Sequence, residues 1–398
     1  MLKNLFSPIT IKGKTLKNRM AVAPMVTNYC NEDGTCTEMF SAYHEAKAKG
    51  GFGMIITEDF AVRPRGKGFK HLPGLWNDEQ IPGFKEFTKR IHKHDTVLIA
   101  QIYHAGRQSS KMVLGQVPEA PSAIPCPFSP DMPEEMSIEE IKKIITEFGD
   151  CARRAEEAGF DGIEVHGAHG YLISQFMSSY TNKRTDEYGG SLQNRIRFAV
   201  EVVKDIRSKV SNEFIVGYRI SADEYVTGGR NIGDTMTIVP YLEEAGIDYI
   251  HVSAGVYRSF DDIIPSQYRG HSWNTNAASE IKKITKLPVI SVGRINDPRL
   301  AETIIASGKA DIVAMGRQSL TDPETPNKAK EGRFDEIRNC IACHHGCVKN
   351  LLNNVPIQCI LNPTLGRESE VSLEKTEAPK NIMVIGSGPA GLEAAITA

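Results

Sequence analysis

Three groups of residues in this 398-residue chain have the types and spacing to do chemistry. The first is Glu164-Val165-His166-Gly167-Ala168-His169-Gly170-Tyr171. Two imidazoles three positions apart, on a turn loosened by glycines, can donate to one carbonyl or carboxylate oxygen. An oxygen held that way draws electron density out of a conjugated double bond. Tyr171, two residues beyond His169, can supply a proton. A zinc or iron site is the competing reading of a histidine pair, but no third ligand stands out in the sequence. Ordinary packing at a strand end is the other alternative.

The second group is Cys340-x2-Cys343-x3-Cys347-x11-Cys359, followed by Asn362-Pro363. Four thiolates in one short segment can hold a four-iron cluster or a structural zinc. Structural zinc more often uses two separated C-x2-C knuckles. Three close cysteines and one delayed cysteine favour an iron–sulfur cradle. His344 and His345 read as exposed loop residues, since four sulfurs already complete a ligand set.

The third group is Gly293-Arg294 and Gly316-Arg317, two dipeptides suited to a phosphate held by backbone amides and guanidinium groups. Each is commonplace alone; the pair points to a phosphorylated cofactor. Arg219 and Gln101 fit a flavin, the first balancing negative charge on a reduced ring and the second bonding its polar edge. A structural salt bridge explains Arg219 equally well.

These residues need a scaffold, and the hydrophobic pattern supplies one. Strands are expected at 20–24, 54–59, 97–103, 162–166, 214–220, 249–253, 289–292 and 311–315, several of them almost continuously apolar, as strands buried on both faces are. Helical segments fall at 38–49, 79–94, 137–159, 192–210, 235–245, 277–285 and 298–307. The clearest opens on Ser137-Ile138-Glu139-Glu140, a capping box, and stops at Gly159. Eight strands alternating with helices predict an α/β fold, a (β/α)8 TIM barrel over 1–335, with a doubly wound sheet as the alternative. His166, Arg219, Gly293-Arg294 and Gly316-Arg317 stand at or just beyond strand C-termini, where barrels build active sites.

A small iron–sulfur segment at 336–366 follows, then a polar linker at 367–380. Residues 381–398 read as the first strand, turn and helix of a dinucleotide-binding domain, with Gly386, Gly388 and Gly391 as its G-x-G-x-x-G. The second strand and its ribose-binding acid are missing, so this stretch is expected to be a fragment or a vestige and to form no complete nucleotide site.

Forty-seven basic and 49 acidic residues leave a net charge of −2, which argues against a nucleic-acid partner. No apolar run nears the ~20 residues a membrane span requires, and the N-terminus lacks the apolar core of a secretory signal. Four of the eight cysteines are scattered singly and four are clustered late, a distribution expected of a reducing compartment with a metal site. A cytoplasmic protein is expected.

Taken together, Lys17-Asn18-Arg19, Gln101 with His104-Ala105-Gly106-Arg107, His166 to Leu172, Asn182 to Ser191, Gly293-Arg294-Ile295-Asn296 and the four late cysteines resemble the Old Yellow Enzyme family. The resemblance is to its long iron–sulfur branch, with 2-enoate reductases, 2,4-dienoyl-CoA reductases, bile-acid and steroid enoate reductases and trimethylamine dehydrogenase. It implies FMN held by Pro24, Met25, Gln101, Arg219, Gly293, Arg294, Gly316 and Arg317. It also implies a 4Fe-4S cluster on Cys340, Cys343, Cys347 and Cys359. His166 and His169 would bind the substrate's activating oxygen and Tyr171 would be the acid. FAD and NAD(P)H are expected only with a longer chain.

Three departures bear on the subgroup. Val26 stands where many relatives carry a Thr or Cys near the flavin. Trimethylamine dehydrogenase links its flavin through a cysteine there, and Cys30 lies too late to replace it. Dienoyl-CoA reductases lack the His-x-x-His pair and use a His beyond strand six, where this chain has Tyr257; His251 lies inside the strand. The expected activity is therefore an FMN-dependent ene-reductase acting on a small α,β-unsaturated carbonyl or carboxylate compound. The alternatives are a dienoyl-CoA reductase, an amine dehydrogenase and a non-catalytic electron-transfer module. Neither a nucleic acid nor a membrane is an expected partner, and a homo-oligomer is left open.

Overall fold

A computed structural model describes residues 2–371 and 375–398. Eight parallel strands close into a barrel: β1 Met20–Val22, β2 Met54–Ala61, β3 Val97–Tyr103, β4 Gly162–Gly167, β5 Ile215–Ser221, β6 Tyr249–Ser253, β7 Val289–Val292 and β8 Ile312–Met315. Each strand pairs with the next in sequence, and β8 returns to β1 through Val313 opposite Met20. The open-sheet alternative is excluded by that closure. The strands lie where the apolar runs predict them, with ends displaced by a residue or two. β2 runs on to Ala61 and β1 stops at Val22, leaving Pro24 and Met25 on the following loop.

The outer layer consists of α1 Glu38–Lys49, α2 Ile81–His92, α3 Ile138–Glu157, α4 Leu192–Lys209, α5 Ile232–Ala245, α6 Thr275–Lys282 and α7 Pro298–Ala306. Helix α5 begins three residues before the expected start, because Asn231 and Asp234 form a reciprocal capping box. At α3 the expected box is half formed. Ser137 Oγ accepts from the Glu140 amide at 3.2 Å, while the Glu140 carboxylate is drawn to Arg63 instead. The helix stops through Gly159, whose φ of 88° only glycine adopts freely.

Two apolar regions hold the barrel. One packs the helices against the outside of the strands, with Phe40, Phe84, Phe87, Phe148, Phe176 and Phe198 fully enclosed. The other fills the barrel's lower interior with Met54, Ile56, Ile99, Ile215, Ile290 and Ile312. Above that plug the interior turns polar. Gln101, Glu164, Tyr249 and His251 form one layer, and Asp59, His166, Arg219 and Ser253 lie near the strands' C-terminal ends, all of them buried. Burying this many polar and ionisable groups is tolerable only where they bond to one another or to something in the mouth.

The cysteine segment is fastened to the barrel rim. The Ile357 amide donates to Thr27 O at 3.0 Å, Tyr29 Oη donates to Ile357 O at 2.7 Å, and Asn362 Nδ2 donates to Leu320 O at 2.7 Å. Of the expected linker at 367–380, residues 372–374 lie outside the described part. The expected strand at 381–385 is not formed, which corrects the sequence reading. Ile382, Met383 and Ile385 are 64%, 84% and 90% exposed and pair with no strand among the described residues. A β-segment without a neighbour has no ladder to hold its amides. The helix that follows, α9 Pro389–Thr397, does form, because its hydrogen bonds are internal; α8 Arg317–Thr321 lies between barrel and cysteine segment. Among the described residues no helix is long and apolar enough to cross a membrane.

Candidate active site

The barrel mouth opens into a cavity of about 1300 Å³, counting the space open to solvent. Every barrel residue expected to hold the cofactor or act on the substrate lines it: Pro24, Met25, Gln101, His166, His169, Tyr171, Arg219, Gly293, Arg294, Gly316 and Arg317. Gly386, Gly388 and Gly391 are not among its walls; they sit on the exposed tail.

The glycines of the histidine turn are there for space. A Cβ on Gly167 would come within 2.2 Å of Tyr218 Oη, and one on Gly170 within 2.5 Å of Gln108 Oε1. His169 itself takes a φ of 59°, and its amide donates to Ser221 Oγ at 2.9 Å. The turn thereby brings His166, His169 and Tyr171 together, with the His166 ring 4.9 Å from that of His169 and 4.8 Å from that of Tyr171.

The two imidazoles are in different hydrogen-bonding states. His166 Nδ1 accepts from the Ala168 amide at 3.2 Å, so in the neutral ring the proton sits on Nε2. Burial first, then Arg219 and His251, hold its pKa well below the ordinary histidine value. It is a neutral donor aimed at the mouth. His169, kept neutral by the same burial and Arg219, places Nε2 2.7 Å from Ser253 Oγ. The two imidazoles expected to converge on one oxygen stand side by side, but His169 Nε2 is engaged with Ser253 Oγ, and it must exchange that contact to act with His166.

Arg219 is fully buried and has no salt-bridge partner within 4.0 Å among the described residues; its one bond is a long 3.5 Å contact to Ser253 Oγ, and its Nε is unpartnered. The structural salt bridge weighed for it is therefore absent. Gln101 donates Nε2 to Glu164 Oε1 at 2.7 Å, and no donor among the described residues reaches its carboxamide oxygen. Glu164 also accepts from Tyr249 Oη at 3.0 Å and lies 3.0 Å from His251 Nδ1. Despite burial, these partners hold Glu164 below the ordinary carboxylate value. Asp59, buried with Glu164 nearby, is pushed up to about 7, with burial outweighing Arg219. An orphaned guanidinium and an open amide acceptor around one large cavity are what an anionic, hydrogen-bonding ring system requires. The site fits FMN.

At the phosphate end both arginines rest on backbone carbonyls. Arg294 donates to Gln267 O at 3.1 Å and to Arg269 O. Arg317 donates to Pro265 O at 2.7 Å and contacts His344 Nε2 at 2.6 Å. Neither meets a carboxylate among the described residues, so both charges are uncompensated at the wall. His344 is accordingly half-buried rather than exposed, while His345 is exposed as read from sequence.

All four late cysteines are free thiols that rim a second cavity of about 340 Å³. Ala342 and His344 take φ values of 53° and 63°, and the Ala342 amide donates to Cys340 Sγ at 3.4 Å. Among the described residues no three His, Cys, Asp or Glu side chains gather tightly enough for a single metal ion. Arg317, Leu320, Cys340, Ala342 and Cys347 line both cavities, so one wall serves the two.

The sequence reading missed Asp59, Tyr249 and Ser253 and the roles of Glu164 and His251, which come from three strands, β2, β4 and β6, and meet only inside the barrel. It also missed the aromatic wall of Phe69, Tyr257 and Phe260 above Tyr171. Tyr257 Oη lies 3.1 Å from Tyr171 Oη.

A closed barrel with a cofactor-sized, guanidinium-lined mouth defines a flavin oxidoreductase of the Old Yellow Enzyme type. Residues 4–336 match the NADH:flavin oxidoreductase / NADH oxidase family, and the chain belongs to it. It is 45% identical to an NADH oxidase of Thermoanaerobacter brockii, over 99% of this chain and 61% of that protein. It is 36% identical to a cinnamate reductase of Clostridium sporogenes, over 99% of this chain and 62% of that one. Among solved structures, the 2-naphthoyl-CoA reductase complex with 2-naphthoyl-CoA superposes with a TM-score of 0.95 at 32% identity, covering 100% of this chain and 63% of that one. The chain thus spans about three fifths of these relatives.

Proposed function

We propose that this chain is the barrel and cluster portion of an FMN-dependent ene-reductase that reduces the C=C bond of an α,β-unsaturated carboxylate or carbonyl compound. The observation that carries the reading is the pairing of a neutral, buried His166 Nε2 donor with the Tyr171 phenol in one aromatic-walled cavity. Pro24, Met25, Gln101, Arg219, Gly293, Arg294, Gly316 and Arg317 would hold FMN. When bound, the flavin supplies a hydride to the β-carbon.

His166 donates to the substrate oxygen and draws charge onto it; His169 adds a second donor once it leaves Ser253. Both rings are neutral, so the oxygen gains hydrogen bonds without a competing proton transfer. Tyr171 protonates the α-carbon. Phe69 and Phe260 keep water from the polarised double bond. Cys340, Cys343, Cys347 and Cys359 would hold a four-iron cluster, which supplies electrons one at a time. Residues 1–335, 336–366, 367–380 and 381–398 would be barrel, cluster segment, linker and the opening of an FAD- and NAD(P)H-binding domain, with Gly386, Gly388 and Gly391 in its first turn.

Tyr171→Phe tests the assignment. The variant should retain flavin and its normal rate of reduction by dithionite. Reoxidation of the reduced flavin by cinnamate or cyclohex-2-enone should slow by about 10²-fold or more, the scale of a lost general acid. Equal slowing of both half-reactions would refute the proton-donor role.

A further inference from the structure

Tyr171 has a supply problem that the structure also answers. Its phenol is 6% exposed, ringed by Tyr103 and His166 at centroid distances of 5.1 and 4.8 Å, and a substrate in the cavity removes the remaining access to water. A phenolate stranded there is costly: burial, Tyr257 and Asp59 hold the phenol's pKa well above its ordinary value. Among the described residues the one group within hydrogen-bonding distance of its hydroxyl is Tyr257 Oη, at 3.1 Å. Tyr257 stands at the start of the loop beyond β6 on the wall of the same cavity, and it is half-buried where Tyr171 is buried. It cannot swing freely, because Phe128 and Phe260 pack edge-on against it at 5.6 and 5.9 Å.

We propose that Tyr257 is the proton conduit that reloads Tyr171 from solvent after each turnover, a role that rests on the ene-reductase reading. The balance is simple. The Tyr171 O–H bond breaks as the α-carbon–H bond of the product forms. The Tyr257 O–H bond then breaks as that of Tyr171 is restored, and water reprotonates Tyr257. One solvent proton is consumed and no electrons move in the relay. Tyr257 touches no reacting carbon and acts through Tyr171.

The test uses the flavin-loaded protein and its Tyr257→Phe variant, with Phe260→Leu as a variant that disturbs the same packing and keeps both hydroxyls. Cinnamate and cyclohex-2-enone serve as acceptors and dithionite as reductant. Steady turnover of Tyr257→Phe should fall on the order of 10²-fold, and should then rise with the concentration of a small buffer acid such as imidazolium or ammonium. Wild type and Phe260→Leu should be indifferent to buffer concentration. Small acids replace a missing proton path and do nothing for a packing defect. A Tyr257→Phe enzyme that turns over like wild type, or one that slows without any response to buffer acid, overturns the relay while leaving the ene-reductase reading standing. Failure of every acceptor to reoxidise wild-type flavin overturns that reading and the relay with it.

Discussion

Glu164→Gln is the substitution that most directly tests how the barrel interior prepares its cofactor site. The carboxylate is fully buried and accepts from Gln101 Nε2 at 2.7 Å and Tyr249 Oη at 3.0 Å, with His251 Nδ1 at 3.0 Å. Hydrogen bonds to a charged group are worth about 1.5–3 kcal/mol each against about 0.5–1.5 kcal/mol for neutral ones. Replacing the carboxylate by an isosteric amide therefore weakens the Tyr249 and His251 contacts by roughly 1 kcal/mol apiece. The Gln101 contact is different, because a carboxamide NH2 set against it confronts donor with donor. Left so, the mismatch costs about 1–3 kcal/mol. Gln101 escapes by turning its own amide over, which presents NH2 to the cavity where wild type presents an acceptor. The flavin must then lose a bond or meet an opposed donor, a penalty of about 1–3 kcal/mol or roughly 5- to 150-fold in affinity. Titrating FMN into the flavin-free protein by flavin fluorescence quenching measures it. Weakened FMN binding, with far-ultraviolet circular dichroism unchanged, is the expected result. Wild-type FMN affinity in Glu164→Gln would refute the argument that this carboxylate orients Gln101.

Two further outcomes follow from the same interior and from the cysteine segment. Asp59 is held near pH 7 in the folded chain against an ordinary value of 3.8, so between those pH values the folded protein keeps a proton that the unfolded chain releases. Stability in the flavin-free protein must then fall as pH rises through that window, reaching a cost on the order of 4 kcal/mol above pH 7. Asp59→Asn removes the cost, so its gain in thermal midpoint should be absent at pH 4, grow to pH 7 and then level; an equal gain at all pH values would contradict the burial argument. At the cysteine segment, a Cβ on Gly346 would sit 2.3 Å from Gln358 O, forcing apart the strands of the loop that hold Cys347 and Cys359. Gly346→Ala should lose iron and acid-labile sulfide as fully as Cys359→Ser while retaining FMN, and full iron content in either variant would contradict the cluster assignment.

The barrel was readable from sequence because its strands are buried on both faces, and a run such as Met54-Ile55-Ile56 has no competing helical period. The gathering of the four late cysteines was readable for another reason: they fall within twenty residues, and local spacing is enough to bring them around one cavity. Boundaries were less legible where caps decided them. Asn231 extends α5 by pairing with Asp234, while Glu140 abandons its expected cap for Arg63, a partner 77 positions away. The tail strand failed for the opposite reason, since Ile382 to Ile385 have the right composition and no neighbour among the described residues.

What stayed hidden at the site is what depends on facing. In β6, Tyr249, His251 and Ser253 alternate inward, yet in sequence they interrupt an apolar strand and look like isolated exceptions. Placed in register, His251 stands opposite Arg219, which stands opposite His166, and Gln101 stands opposite Glu164. Five strands thus contribute one to three inward polar residues each, and two stacked polar levels result that no local motif encodes. The lower level has a functional logic that follows from its height in the barrel. Below it the interior is apolar; within it Glu164 accepts from Gln101 and Tyr249 and faces His251 Nδ1, with only His251 Nε2 unpartnered; above it Arg219 keeps one long bond to Ser253 with its Nε free, and the acceptor end of Gln101 meets no donor among the described residues. Hydrogen-bonding demand therefore increases toward the mouth. A buried guanidinium with no ion-pair partner and one long hydrogen bond costs several kcal/mol in an empty protein, and that cost is recovered by a ligand carrying negative charge and a polar edge. The interior spends its stability on keeping those two groups unsatisfied, which is the condition for binding a cofactor tightly in one orientation.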